Sequence, residues 1–174
     1  LYIGIYKLCQ KKWQKMFKIK NNFLKKSQYN KMKKLITGNN FNWFLQHGII
    51  DTGKKGTMFT HTFFNEYGIN SPFYEEMITP FIEKLKIKKL FRVKLNLYTK
   101  TNKKIVHGFH TDRRDKHMVV LFYFNKNNGH TLFKKQKIKS EDNKAVIFDG
   151  SLEHSSTSCT DQDYRITLNI NYGI

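Results

Sequence analysis

The sequence predicts a mainly β protein (α+β class) with helices in its N-terminal part and an antiparallel sandwich or barrel as its architecture. Four segments after residue 90 show either the apolar alternation of half-buried strands or the continuous apolar run of buried ones. Polar clusters such as NKNNG (125–129) and DQD (161–163) separate them as turns. Before residue 90, apolar residues recur at helical spacing instead. A length of 174 residues fits one compact domain.

The N-terminal segment is strongly basic. Residues 1–40 contain eleven lysines and no acidic residue, and apolar positions from Trp13 to Leu24 recur at near-helical spacing. We therefore expect a helix over residues 1–35, in a basic extension (1–40) that precedes the main domain (41–174). Such a helix either packs on the domain with its lysines in water or contacts nucleic acid or a membrane surface.

The middle of the chain predicts one strand and one helix. The aromatic-rich segment MFTHTFFNEYG (58–68) indicates a strand and a loop. A helix is expected from Ser71-Pro72 to about Lys88, because serine caps helices, proline suits the first helical position, and the following Glu75 and Glu76 suit the first turn.

Four strands are predicted in the remainder. They are RVKLNLY (92–98), MVVLFYF (118–124), KAVIFD (144–149) and RITLNINY (165–172). The last alternates most regularly, so that one face is apolar and the other polar. The polar face either meets water or lines the interior of a barrel; it consists of Arg165, Thr167, Asn169 and Asn171.

The net charge of +19 invites a nucleic-acid interpretation, since lysine and arginine neutralise phosphates. However, only four of the 32 basic residues are arginine, the side chain that suits bidentate recognition of phosphate or guanine. Sixteen asparagines and many lysines fit the compositional drift of an A/T-rich genome. From residue 41 onward, 21 basic residues oppose 13 acidic ones, so the main domain is only modestly basic.

Two cysteines, Cys9 and Cys159, are too few for a disulfide framework, which favours a reducing compartment. No apolar run reaches the length of a membrane span, and the first residues lack the pattern of a signal peptide. We therefore expect a cytoplasmic protein.

The stretch HGFHTDRRD (107–115) predicts a metal site. In an extended chain His110 and Asp112 point to the same side, so both can bind one ion. His154, which follows the strand 144–149, is the candidate third ligand. Two histidines and one carboxylate form the facial triad of non-haem Fe(II) oxygenases, which leaves other coordination positions open.

Competing ligands lie nearby. His107 is close to the same stretch, and Asp115 and His117 form a reversed version of the motif. We prefer His110 and Asp112 because of the strand face on which they lie.

Arg165 begins the last predicted strand, eleven residues after His154. Antiparallel pairing of these two strand regions would bring both side chains to one interior. There the guanidinium could bind the end of a dicarboxylate through two charge-assisted hydrogen bonds.

These four residues, in this order, closely resemble the motif of the Fe(II)/2-oxoglutarate-dependent dioxygenases of the prolyl 4-hydroxylase type, especially small viral and bacterial members. The resemblance extends over about residues 41–172, and an arginine stands at 165 where some members have lysine. Three surrounding stretches support it, namely GHTLF (129–133), FDGSLEHSSTSCTD (148–161) and RITLNINY (165–172).

The resemblance implies a double-stranded β-helix (jelly-roll) core with N-terminal helices against one sheet. It implies that His110, Asp112 and His154 bind Fe(II) and that Arg165 binds the distal carboxylate of 2-oxoglutarate. It also suggests cosubstrate or pocket positions for a second set of residues, namely Tyr98, Tyr123, Thr131 and Asn169.

The implied reaction is oxidative decarboxylation of 2-oxoglutarate to succinate and CO2, with O2 as oxidant and hydroxylation of an unactivated C–H bond. A peptide or protein is the expected substrate. Two alternatives remain, an oxygenase acting on nucleic acid or a small molecule and a non-catalytic basic barrel that binds a partner. Substrate specificity is expected in loops around 53–70, 99–108 and 125–130.

Overall fold

The computed structural model describes residues 17–48 and 57–173. The two helices are α1 (Lys26–Ile36) and α2 (Tyr74–Leu85). The strands of the first half are β1 (Phe17–Lys20), β2 (Phe44–His47), β3 (Thr57–Asn65), β4 (Gly68–Ile69) and β5 (Leu90–Thr99). Those of the second half are β6 (Met118–Tyr123), β7 (His130–Phe133), β8 (Gln136–Lys139), β9 (Lys144–Asp149), β10 (His154–Ser156) and β11 (Tyr164–Tyr172).

The strands form two antiparallel sheets. The larger has the order β1-β9-β6-β11-β5-β3-β2, with β4 paired to β3, and the smaller has the order β10-β7-β8. The mainly β class and the antiparallel pairing predicted from the sequence are confirmed.

The central strands of the larger sheet are buried on both faces, and they divide their side chains by simple alternation. On β11, Ile166, Leu168 and Ile170 join one apolar core with residues of α1 and α2. On β6, Val119, Leu121 and Tyr123 pack on the opposite side against Phe133 and Ile138 of the smaller sheet. The helices therefore cover one face of the larger sheet, and the smaller sheet covers part of the other.

The polar face of β11 does not meet water. Arg165, Thr167, Asn169 and Asn171 are all buried, and the first three line a pocket on the side of the smaller sheet. Of the two alternatives left by the sequence, the structure therefore shows the interior one.

Helix α2 is shorter than predicted at both ends. Ser71 and Pro72 precede the helix in a turn, in which the Tyr74 amide donates to the Ser71 carbonyl oxygen at 3.2 Å. At the other end Lys86 adopts a left-handed conformation with φ of 54°, which ends the helix before Lys88.

The predicted helix over residues 1–35 is wrong for residues 17–20, which form strand β1 against β9. Phe17 explains this, since its buried ring packs edge-on against Phe133 at 4.9 Å between centroids. Of the described part of this segment, residues 26–36 are helical. Residues 1–16 of the expected basic helix lie outside the described residues.

Residues 17–40 share the core of the rest of the chain. The Asn143 side chain accepts from the Leu24 amide and donates to the Leu24 carbonyl oxygen, both at 2.8 Å. Tyr29 and Met32 of α1 are buried in the same cluster as the β11 side chains. The described residues of the N-terminal segment therefore contribute to the main core. Among the helices of the described ranges, neither is long and apolar enough to cross a membrane.

Candidate metal centre and its pocket

His110 and His154 face each other across an isolated antiparallel bridge. The His110 amide donates to the His154 carbonyl oxygen at 3.0 Å, and the reciprocal bond is 2.9 Å. This bridge joins the loop before β6 to the first residue of β10 and places the two imidazole rings 4.6 Å apart. Backbone hydrogen bonds thus fix the spacing of the two rings.

Asp112 completes a group of three possible metal ligands. Its Oδ1 lies 3.9 Å from Nε2 of His110, and its Oδ2 lies 3.8 Å from Nε2 of His154. All three ligand atoms lie within 4.8 Å of one another. Two imidazoles and one carboxylate form the donor set that holds Fe(II) and leaves coordination positions free.

The hydrogen bonds of the two histidines leave the required nitrogens available. Nδ1 of His110 lies 3.3 Å from the Gly108 carbonyl oxygen, and Nδ1 of His154 lies 3.2 Å from that of Leu152. Because a carbonyl oxygen only accepts, Nδ1 carries the proton in each pair and Nε2 keeps its lone pair.

The charges at the site also suit a cation. Burial raises the pKa of the Asp112 carboxyl, but His154, Arg92 and the Asn169 amide outweigh this effect and hold the pKa below its usual range. Burial lowers the pKa of His154, although Asp112 opposes the shift. An ionised carboxylate and a neutral imidazole are the forms that bind metal.

The competing residues take other roles. Nδ1 of His107 lies 2.7 Å from the Ser156 hydroxyl, and the His107 ring stacks on Tyr98. Asp115 is exposed and pairs with Arg113 at 2.9 Å. His117 is buried with Nδ1 2.7 Å from the Asp115 carbonyl oxygen. His107, Asp115 and His117 all lie outside the ligand cluster found among the described residues.

The three ligands open into a cavity of about 160 Å³ between the two sheets. Polar side chains of two neighbouring strands line one side of it, and the antiparallel register explains their arrangement. Arg165, Thr167 and Asn169 on β11 lie opposite Tyr98, Asn96 and Lys94 on β5, and all six line the cavity.

Arg165 is a buried cation without a buried anion. Its side chain is 1% exposed, Nε donates to the Ser140 hydroxyl at 2.8 Å, and Nη2 donates to the Thr131 hydroxyl at 3.2 Å. Its Nη1 is buried with no hydrogen-bond partner, and no carboxylate within the described ranges pairs with this guanidinium. Burial lowers the pKa of Arg165. A buried unpaired charge is costly, so the site is suited to an anion that supplies the missing partner.

The other predicted pocket residues take three different positions. Tyr98 and Thr131 line the cavity, and the Tyr98 hydroxyl accepts from Ser156 at 3.2 Å. Tyr123 is buried behind the cavity wall, where its hydroxyl donates to Thr131 at 2.8 Å and its ring lies under Arg165. Asn169 lines the cavity beside the carboxylate, since its amide donates to Asp112.

One route by which the sequence brought these residues together is wrong. The region of His154 does not pair with β11, because β9 is separated from β11 by β6, and β10 pairs with β7 in the other sheet. His154 and Arg165 still reach the same cavity, since the smaller sheet packs over the larger one.

Several site residues were not predicted. Arg92 donates from Nη2 to Oδ1 of Asp112 at 2.7 Å, Ser140 holds Arg165, and Lys94 and Asn96 line the cavity. The alternation of RVKLNLY places Arg92, Lys94 and Asn96 on the face of Tyr98, which is the signal that could have identified them.

No protein-family model matches the chain, and no curated protein sequence matches it. Solved structures do match. An oxidoreductase of the 2OG-Fe(II) oxygenase family from Burkholderia pseudomallei has a TM-score of 0.69 at 10% identity, over 92% of this chain and 86% of that one.

Two further structures have related descriptions. The viral collagen prolyl hydroxylase of Paramecium Bursaria Chlorella virus-1 matches with a TM-score of 0.55 and 14% identity, over 91% of both chains. The epimerase SnoN, in complex with Fe3+, alpha ketoglutarate and nogalamycin RO, matches with a TM-score of 0.62 and 10% identity, over 90% of this chain and 78% of that one. The chain therefore has the fold of the 2OG-Fe(II) oxygenases.

Proposed function

We propose that this protein is an Fe(II)- and 2-oxoglutarate-dependent dioxygenase that hydroxylates an unactivated C–H bond, built on a double-stranded β-helix core. One observation carries the proposal. A two-histidine, one-carboxylate cluster and a buried arginine that pairs with no carboxylate of the described residues line the same small cavity. The first suits Fe(II), and the second suits a dicarboxylate held beside it.

In this proposal His110, Asp112 and His154 hold the iron. Bound Fe(II), with 2-oxoglutarate and O2, would supply oxidative decarboxylation to succinate and CO2 and the transfer of one oxygen atom to the substrate. The chain supplies ligand orientation. Arg92 and Asn169 each bond one oxygen of Asp112, and carbonyl groups orient both imidazoles.

Arg165 would hold the distal carboxylate of 2-oxoglutarate through its free Nη1 and the neighbouring edge of the guanidinium. Ser140 and Thr131 fix the guanidinium, and the rings of Tyr98 and Tyr123 lie 5.6 and 5.7 Å from its central carbon. The Thr131 hydroxyl accepts from both Tyr123 and Arg165, so its own proton is free to donate to a carboxylate.

We place a peptide or protein first as the substrate. The likeness to a viral collagen prolyl hydroxylase supports this choice. The likeness to an epimerase in complex with nogalamycin RO favours a small molecule as the second candidate. The third candidate substrate is nucleic acid, because the N-terminal segment is rich in lysine. Part of that segment lies outside the described residues.

The first test is an anaerobic absorbance titration with Fe(II) and then 2-oxoglutarate. We expect the visible charge-transfer band of the iron chelate in the parent protein. We expect no band in His110→Ala, and a band that needs at least about tenfold more 2-oxoglutarate in Arg165→Ala, since a charge-assisted pair is lost. Exposed Lys88→Met is the matched control and should behave as the parent. A folded parent protein that binds Fe(II) and 2-oxoglutarate without forming the band would contradict the proposal.

A further inference from the structure

We propose that the substrate presents a carboxylate to Lys94, next to the metal ligands, so that the protein acts on a site flanked by an acidic side chain. The inference rests on the proposed oxygenase function and specifies its substrate class. It depends on four observations about the cavity, namely the position of Lys94, the partners of the neighbouring cations, the balance of charge and the size of the site.

Lys94 occupies the centre of the polar face of β5. It lies between Arg92 and Asn96 on that face, pairs in register with Asn169 of β11, and lines the cavity. Asn169 bonds Asp112, so this register brings the lysine to the side of the cavity that holds the metal ligands. A position beside the ligands is where the reacting part of a substrate has to lie.

Among the described residues that line this cavity, Lys94 is the cation that remains available to a substrate. Arg92 is engaged with Asp112, and Arg165 is held by Ser140 and Thr131 and faces the proposed cosubstrate. Within the described ranges Lys94 makes no hydrogen bond or ion pair. Burial lowers its pKa, Arg92 lowers it further, and Asp112 opposes both. A partly buried ammonium group beside another cation is stabilised by an incoming anion.

The balance of charge favours an anionic substrate. Among the described residues, the cavity lining contains three cations, Arg92, Lys94 and Arg165, and one carboxylate, Asp112. A bound divalent ion adds two positive charges to the three cations, and the dianion of 2-oxoglutarate adds two negative charges to Asp112. The totals are then five positive and three negative charges. The loaded site therefore keeps an excess of two positive charges, which a neutral substrate would leave unbalanced.

The size of the site favours a carboxylate over a phosphodiester. A cavity of about 160 Å³ also has to hold the cosubstrate, so little room remains beside Lys94. The side-chain carboxylate of aspartate or glutamate is small, planar and singly charged. A backbone phosphate of nucleic acid arrives with sugars and bases on both sides.

The test uses a small probe that needs no knowledge of the substrate. N-acetyl-glutamate N-methylamide is titrated into the full chain loaded with Zn(II) and saturated with 2-oxoglutarate, and binding is measured by ligand-detected NMR. The neutral matched probe is N-acetyl-glutamine N-methylamide, and free glutarate distinguishes a peptide-like carboxylate from a small acid. We expect the glutamate probe to bind at least about tenfold more tightly than the glutamine probe.

Lys94→Met keeps the length of the side chain and removes its charge. It should weaken binding of the glutamate probe about tenfold and leave the affinity for 2-oxoglutarate unchanged. The control variant Lys88→Met, at an exposed position, should change neither affinity. Lys94→Glu should instead select N-acetyl-lysine N-methylamide. Equal binding of the glutamate and glutamine probes, or full binding to folded Lys94→Met, would overturn the inference, and so would weaker 2-oxoglutarate binding in Lys94→Met.

The two proposals fail in different ways. If the parent forms the Fe(II) and 2-oxoglutarate chelate but does not distinguish the probes, only the carboxylate inference is wrong. If the parent forms no chelate, the oxygenase function is wrong and the inference that rests on it is wrong as well.

Discussion

Asn169 donates a hydrogen bond of 2.9 Å to Oδ2 of Asp112, although 57 residues separate them in the sequence. The side chain of Asn169 is itself oriented by Asn171, whose amide donates to the side-chain oxygen of Asn169. The other carboxylate oxygen accepts from Arg92 at 2.7 Å. Both oxygens of Asp112 are therefore oriented by the strands below it, and the carboxylate does not need to reorganise greatly when a metal binds.

Removing either of these contacts should weaken metal binding. We expect Asn169→Ala and Arg92→Met each to reduce Zn(II) or Fe(II) affinity by about 10- to 100-fold, the usual effect of losing a partner of a metal ligand. Competition with a chromophoric chelator measures this. Exposed Asn102→Ala is the control, and unchanged affinity in both variants would refute the orienting role.

The same variants should change the pH dependence of metal binding. In the parent protein the pKa of Asp112 lies below its usual range, so the carboxylate stays ionised and able to bind metal as the pH falls. Loss of Arg92 or Asn169 raises this pKa. Metal should therefore be released at a higher pH in the variants than in the parent, as followed by a pH titration at fixed metal concentration. A release midpoint that stays in place would argue against this electrostatic account.

Gly129 should be needed for tight binding of the cosubstrate but not of the metal. A Cβ atom at this position would lie 2.6 Å from Cδ of Arg165 and 2.8 Å from Oδ1 of Asn127, so Gly129→Ala has to displace the buried arginine. We expect roughly tenfold weaker 2-oxoglutarate binding, since overpacking costs about 1–3 kcal/mol, with Zn(II) affinity retained. Calorimetry measures both. Gly173→Ala is the control, because the atom nearest to a Cβ at this position lies 3.4 Å away. This variant should bind 2-oxoglutarate and Zn(II) as the parent does.

His61 should make the fold sensitive to acid. Its Nδ1 donates to the Asn42 carbonyl oxygen at 2.7 Å, and its Nε2 lies 2.7 Å from the Ser71 hydroxyl, so both ring nitrogens are engaged. Burial lowers the pKa of His61 below its value in the unfolded chain. The unfolded state therefore takes up a proton first as the pH falls below about 6.5, and stability decreases from there toward the pKa of the folded state.

Urea unfolding of the metal-free chain at pH 7.5 and pH 5 tests this behaviour. His61→Gln should lose about 1–3 kcal/mol of unfolding free energy at pH 7.5, because buried hydrogen bonds are disturbed. Between pH 7.5 and pH 5, the unfolding free energy of His61→Gln should then decrease by less than that of the parent. An identical acid loss in parent and variant would exclude His61 as a source, and His47→Gln at an exposed position is the control.

Bound metal should stabilise the folded chain. An ion that binds only the native state adds about 2.7 kcal/mol of unfolding free energy when its concentration is 100 times the Kd. We expect Zn(II) to raise the thermal unfolding midpoint and a chelator to reverse the change. Asp112→Asn should lose most of the increase, because an amide replaces the anionic ligand. A similar increase in this variant would indicate that the metal binds elsewhere.

Local periodicity accounts for the part of the fold that the sequence predicts well. Strands β5, β6, β9 and β11 lie where alternation or apolar runs placed them, because pleating sends successive side chains to opposite faces. The spacing of His110 and Asp112 follows from the same rule. By contrast, strand β1 could not be predicted from the lysine-rich segment FKIK, because its pairing with β9 depends on residues more than 120 positions away.

The sequence by itself determined the two-residue spacing of the first ligands, the polar face that carries Arg165, and the order in which the candidate site residues appear. These features depend on chain geometry over a few residues. Only the tertiary structure decided that β10 leaves the large sheet, that Arg92 and Asn169 bind opposite oxygens of Asp112, and that Lys94 faces the cavity. Such contacts arise when sheets pack on each other, and no local pattern encodes which distant side chains then meet.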